Sequence, residues 1–334
     1  METKILYNEN DYEAIKILDG FLPDKIFDTH MHLLDSEFEP EAVTDGKRVV
    51  YEIEDYKKEM SPVLCNPKVL RTNIITHPNS SLADLSAGNY KKADEFLIKQ
   101  LNKEPQCVGE IIVFPGQTPE EIEKRLVHPR FRGFKCYYNM GSGDRTFDSS
   151  IGEYLPEYVW ELANKNKMCI TLHMVKEKAL ADKDNLEYIK TMAKKYPDAV
   201  LILAHAARGF AAWTAIETIS EVARFDNIWF DFSAICESPA MFQIMKKAGL
   251  ERCMWGSDYP GCGIRGKAVS IADSFYWIMQ QDIDNFDSKT PVRTWTYATE
   301  NLMATRQACI LADLRESQIE DLFYNNAARL FDGK

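Results

Sequence analysis

The eight cysteines include no CxxC pair, and several (Cys107, Cys136, Cys169, Cys253) lie beside or within apolar runs. That spacing argues against a zinc knot or a disulfide framework and fits buried, reduced thiols in a cytoplasmic protein. No stretch approaches the roughly 18 apolar residues needed to cross a bilayer. The opening METKILYNENDYEAIK is too polar for a secretory signal, so the expected location is the cytoplasm. Positive charge is in deficit: 40 Lys and Arg face 51 Asp and Glu, a net charge of −11. An acidic body repels nucleic acid and anionic membranes, so neither is expected as a partner. A small-molecule substrate is, since local Arg and Lys can reverse the field inside one pocket. Also missing are a GxGxxG or GKS/T nucleotide fingerprint, an assignable Ser-His-Asp set, a low-complexity linker and any shift in composition that would mark a second domain.

What is present is a rhythm. Eight β-like runs recur: 25–32 (KIFDTHMH), 71–78, 107–116, 131–138 (FRGFKCYY), 168–175 (MCITLHMV), 199–207 (AVLILAHAA), 227–234 (NIWFDFSA) and 252–260 (RCMWGSDYP). Most are rich in β-branched and aromatic residues and end in polar or Gly/Pro segments. Helical spacing separates them: Tyr154, Tyr158 and Leu162 form one stripe in 153–166, and Leu186, Ile189 and Ala193 another in 184–198. Strands alternating with helices imply a parallel sheet, and eight units over 334 residues point to an α/β fold, a single-domain (β/α)8 TIM barrel. Residues 1–24 read as an N-terminal extension and 25–334 as the barrel. Residues 33–66 are too long for an ordinary βα loop and read as an insertion after strand one that covers part of the mouth. Residues 280–315 extend the barrel's end with some helix, and 317–331 form a last helix packing through Ile319, Leu322 and Phe323.

Only six histidines occur, and four fall at or near the C-terminal ends of strands, the rim that carries a TIM barrel's active site. In DTHMH, Asp28, His30 and His32 share one face of a strand. If that face is the interior, two imidazoles converge near the axis. His173 at the end of strand five and Asp258 at the end of strand eight approach from other directions. Three nitrogens and a carboxylate suit zinc and leave room for water. Each alone reads equally well as a core histidine or a turn cap; the combination at strands one, five and eight points to metal. His205, ending strand six, is a candidate acid-base residue or a ligand for a second ion. Lys135 in strand four has three readings: pairing with a substrate carboxylate, bridging two metals after carboxylation, or forming a Schiff base. Arg208 and Arg265 are candidate cations for an anionic substrate. His77 and His128, each before a proline, read as structural.

DTHMH, GFKCYY, AHAARG, WGSDYP and the closing YNNAARLF resemble the amidohydrolase superfamily, and within it the amidohydrolase-related group of metal-dependent hydrolases and decarboxylases, over about Lys25 to Phe331. The resemblance implies His30, His32, His173 and Asp258 as ligands of one divalent ion, commonly zinc, with manganese and a second metal left open. It implies Asp258 as the group that takes a proton from the attacking water and His205 as a residue acting at the substrate, with Lys135 or Arg208 binding a carboxylate. AHAARG lacks the small glycine-containing run that often follows this histidine in relatives. Barrels of this group are often dimers, so a homodimer belongs to the expectations. Hydrolysis of a small carboxylate-bearing lactone, ester or amide is the first expected reaction. Non-oxidative decarboxylation is the second, and a Lys135 aldolase or a non-catalytic metal-binding barrel remain as alternatives.

Overall fold

The computed structural model describes residues 5–44, 46–285 and 292–333. All eight expected runs form strands: β1 (Lys25–Asp35), β2 (Val69–Thr76), β3 (Val108–Ile112), β4 (Phe131–Cys136), β5 (Cys169–Leu172), β6 (Val200–Leu203), β7 (Ile228–Asp231) and β8 (Cys253–Met254). Each pairs in parallel with its sequence neighbour, and Val50–Tyr51 adds a short antiparallel ninth strand against Leu34–Asp35. The result is a mixed α/β fold around a curled sheet, consistent with a TIM barrel. The curl brings its two ends together. Thr29 N–H donates to the Trp255 carbonyl (3.1 Å), Asp258 N–H to that of His30 (2.7 Å) and His32 N–H to that of Tyr259 (2.7 Å).

Burial follows the pattern of a closed parallel sheet, apolar on both faces. Inward residues near the N-terminal ends of the strands, Phe27, Ile202 and Met254 among them, form a separate apolar cluster with Leu330 and Phe331 of the helix Asn326–Asp332. Inward positions are polar in part: Asn73, Glu110 and Thr171 are buried and bonded to one another across β2, β3 and β5.

The insertion holds a hairpin (Val43–Thr44 with Lys47–Arg48), the Val50–Tyr51 strand and a helix, Ile53–Met60. Pro156 splits the helical stretch 153–166 into Ile151–Tyr154 and Glu157–Asn166, because proline lacks the N–H needed in a helix interior. The last helix bends through a π turn at Asp321–Asn325. Of the stretch 280–315, Gln280–Asp284 and Tyr297–Leu311 are helical, and residues 286–291 lie outside the described residues. A second hairpin, Gly266–Ile271 with Ser274–Met279, was not anticipated from the sequence.

Within the N-terminal extension, Asn8 caps the helix Glu9–Leu18. Its buried Asp11 accepts from Thr296 N–H (2.9 Å) and the Thr299 hydroxyl (3.1 Å) and pairs with Arg265. Arg265, a candidate substrate cation by sequence, is therefore a clasp: it also donates to the carbonyls of Leu6 and Thr294. Asp11→Ala leaves Arg265 half-buried and unpaired, and should cost about 2–3 kcal/mol. A lowered urea midpoint at unchanged m, partly restored by adding Arg265→Met, checks this.

Candidate active site

The hydrogen bonds that join β1 to the segment after β8 set the site. They bring His30 Nε2 within 3.2 Å of His32 Nε2, and Asp258 Oδ1 within 3.6 and 3.5 Å of those two nitrogens. Ligand atoms of His30, His205 and Asp258 also lie within 4.8 Å of one another. A divalent ion with ligands at 2.0–2.2 Å spaces neighbouring donors about 3.3 Å apart, so this His/His/Asp cluster fits a metal site. The chemistry of the donors agrees. His30 Nδ1 lies 3.0 Å from Asp231 Oδ2, which can only accept in its ionised form. The ring proton is thus on Nδ1, and the Nε2 lone pair faces the cluster. Burial pushes His32 down to about 3 and His205 to about 4, so both are neutral at pH 7. Burial, together with His205 and Lys135, takes His173 well below its ordinary value.

Burial alone would raise the Asp258 carboxyl, but His205, His32 and His30 outweigh it and hold the group ionised. The Asp231 carboxyl is held low in the same way, by His30 against burial. Asp231 was missed by sequence reasoning; its signal was a carboxylate ending the apolar strand NIWFD. Asp28, expected on the face of the two histidines, does not join them. The β1–β2 register shifts between Asp28 and Met31, and the Asp28 carboxylate accepts from Tyr56 Oη (2.8 Å), Ser257 N–H (2.9 Å) and His30 N–H (3.1 Å).

His173 and His205 form a second pair, Nδ1 to Nε2 at 3.1 Å, beside the cluster. Four consecutive residues, His205 to Arg208, adopt left-handed backbone angles with φ between 51° and 57°. Left-handed L-residues cost roughly 1–2 kcal/mol each, and glycine avoids that cost, yet Ala206 and Ala207 stand here. The turn is anchored by His205 N–H on Asp231 (3.2 Å) and Gly209 N–H on the His205 carbonyl (2.8 Å). It aims His205 at the cluster and carries Arg208 to the wall of a cavity.

That cavity has two lobes, of about 700 and 540 Å³, sharing Tyr137, His173, His205 and Asp258. Phe147, Phe210, Phe275, Trp277 and Arg208 line the first, with Asp148 and Glu177 also at its wall. The Arg208 guanidinium lies 5.5 Å from the rings of both Phe147 and Phe275. It is largely buried, its Nε has no partner, and among the described residues no carboxylate pairs with it. Phe275 and Trp277 come from the unanticipated hairpin, whose aromatic run SFYWIM carried the signal for a strand. His32, Tyr51, His77 and Asn139 line the second lobe. Lys135 lines neither: it is fully buried, with Nζ 3.0 Å from His30 Nε2 and its pKa lowered by burial against the pull of Asp231, Asp258 and Glu110. Its place is thus beneath the cluster, out of reach of a substrate in either lobe. His128 lies away from both, bonded to Arg130 N–H.

The sequence matches the amidohydrolase family profile over residues 27–333. The chain belongs to the amidohydrolase family. Solved structures share its fold. They include an amidohydrolase from Burkholderia multivorans with bound zinc (12% identity, 92% of this chain and 99% of that one, TM-score 0.58). Another is 5-carboxyvanillate decarboxylase from Sphingomonas paucimobilis (12%, 92% and 99%, 0.58). A third is a dihydroxybenzoic acid decarboxylase from a Polaromonas species with manganese and 2-nitroresorcinol (14%, 92% and 97%, 0.58). No curated protein matches by sequence. Among the described residues, no helix of this amidohydrolase is long and apolar enough to cross a membrane.

Asp231→Asn should weaken divalent-metal binding 10–100-fold by freeing the His30 tautomer, read by competition with a chromophoric chelator on folded protein. Glu110 supplies a second test. Burial raises its carboxyl to about 7 from 4.5, against Thr171 and Lys135. The stability it contributes is full below about 4.5 and is lost as pH rises through about 7. Glu110→Gln should flatten the fall of unfolding free energy across that window.

Proposed function

We propose that this enzyme is a metal-dependent hydrolase of a small carboxylate-bearing lactone, ester or amide. His30, His32, His173 and Asp258 are assigned to one divalent ion, zinc first and manganese second. When bound, such an ion lowers the pKa of water and polarises a carbonyl oxygen. Asp258, ionised at neutral pH, takes the proton of the attacking water. The water oxygen bonds to the carbonyl carbon, the carbon–oxygen or carbon–nitrogen bond breaks, and the proton goes to the departing atom. Neutral His205 keeps its proton on Nδ1, toward the Ser233 carbonyl (3.2 Å), so its Nε2 acts at the substrate as an acceptor.

The observation that carries this reading is Arg208: a guanidinium between two phenyl rings, without a protein carboxylate, in the lobe that opens onto Asp258. An unpaired buried cation is costly, and a substrate carboxylate relieves that cost. The same contact separates the two reactions. A carboxylate gripped by a guanidinium is stabilised as an anion, and leaving as neutral carbon dioxide forfeits that energy. Arg208 therefore suits a carboxylate that serves as a handle while another bond is cut. The aromatic walls favour the second reading, decarboxylation of an aromatic acid, in which the departing carboxylate sits at the metal cluster instead.

In a panel of lactones, amides and aromatic carboxylates, chelation should abolish turnover and Asp258→Asn should lower kcat roughly 1000-fold. Arg208→Met should raise KM by about 30–150-fold, the worth of a charged hydrogen bond of about 2–3 kcal/mol. Oxygen-18 from water in the product supports hydrolysis; carbon dioxide release without it supports decarboxylation. Full activity after chelation overturns both.

A further inference from the structure

Asp28 is fully buried and lines neither lobe of the cavity. Its Oδ1 accepts from His30 N–H (3.1 Å) in β1 and from Ser257 N–H (2.9 Å) after β8. One carboxylate oxygen thus ties together the two segments that carry His30 and Asp258. The second segment needs holding. Asp258 has a left-handed φ of 60°, a conformation that persists only where its neighbours over-determine it. Its own N–H is fixed by the His30 carbonyl (2.7 Å), and that of the residue before it by Asp28. The other carboxylate oxygen, Oδ2, accepts from the hydroxyl of Tyr56 (2.8 Å), in the insertion helix Ile53–Met60. Among the described residues, Tyr56 is the one donor to Asp28 from outside those two segments. Glu59, one turn further on the same helix face, accepts from the Tyr259 hydroxyl (3.1 Å). The rings of Tyr56 and Tyr259 meet edge to face at 5.3 Å.

We infer that Tyr56 is a positioning residue for the divalent ion: it locks the Asp28 carboxylate, and Asp28 sets the spacing of His30 against Asp258. This rests on the metal assignment of the proposed function. A buried carboxylate that accepts from all these donors is held in one orientation. With Oδ2 left unmet it turns towards other donors or water, and the two backbone bonds on Oδ1 loosen with it. The cluster leaves little room for that. The ligand atoms of His30, His32 and Asp258 stand 3.2, 3.5 and 3.6 Å apart, close to the spacing one ion requires. The insertion thereby belongs to the support of the metal site as well as to the wall of the cavity.

The test titrates the metal-free protein with cobalt(II), whose visible absorption reports the number and geometry of its ligands. Affinity is read by calorimetry, and urea unfolding is followed on the same metal-free samples. Tyr56→Phe, which removes only the hydroxyl, should bind cobalt about tenfold more weakly and shift its absorption band, the lower end of what a residue supporting metal ligands is worth. Asp28→Asn should weaken binding at least as much. Tyr56→Phe added to it should then cost less than it does alone, because the two act through one hydrogen bond. Ile53→Ala, which removes a buried apolar side chain from the same helix, is the packing control. It should lower the urea midpoint and leave the cobalt affinity and spectrum as in the wild type. Unchanged affinity and spectrum in Tyr56→Phe overturn the inference. So does an equal loss in Ile53→Ala, and so do additive losses in the double variant; each leaves the metal cluster standing without the insertion. If Asp28→Asn does not fold, the comparison of Tyr56→Phe with Ile53→Ala decides alone. Wild-type protein that takes up no divalent ion strikes the proposed function itself and removes this inference with it.

Discussion

Three backbone hydrogen bonds between β1 and the segment after β8 hold the site together. The donors of Thr29, His32 and Asp258 are spent on partners more than 220 residues away in sequence, where the two ends of the curled sheet meet. Because the contact runs through main-chain atoms, it fixes the positions of His30, His32 and Asp258 independently of what their side chains bind. Catalytic constellations need such rigid support, since a misplacement of about 1 Å is enough to lose much of their effect.

Around that seam the electrostatics divide into two regimes. Close to the cluster, burial keeps the imidazoles of His32, His173 and His205 neutral, and Asp231 and Asp258 stay ionised. Neutral nitrogens and anionic oxygens are what a divalent cation requires. Lys135 lies against the same cluster with its pKa lowered by burial, which reduces the cost of a lysine beside those imidazoles. Further out, Arg208 keeps a charge that nothing in the described protein neutralises. The left-handed turn at His205–Arg208 connects the two regimes, placing an imidazole on one side and a guanidinium on the other at the expense of backbone strain. Strain of this kind persists where surrounding contacts over-determine it, and here Asp231 grips its first residue.

The insertion after β1 and the hairpin after β8 meet the cavity from opposite sides. The first contributes Tyr51 and, through Glu39, the orientation of His77; the second contributes Phe275 and Trp277. The fold is shared with proteins of 12–14% identity that carry different names, so the fold alone does not set specificity.

The sequence by itself determined the eight strands, the family and the residues converging on one rim, because alternation of apolar runs and the DTHMH and WGSDYP segments are local patterns. It also singled out Arg208, from its place beside His205. Tertiary structure alone decided the rest. Asp28 left the histidine face because the pairing of β1 with β2 slips, and a slip depends on the neighbouring strand. Asp231 became the partner of His30 only across the barrel. Arg265 turned from a candidate substrate cation into a clasp on Asp11, and His77 from a structural histidine into a wall of the second lobe, because each depends on a residue remote in sequence. Which polar groups find protein partners and which are left facing a cavity is settled by closure of the barrel, and no local spacing encodes it.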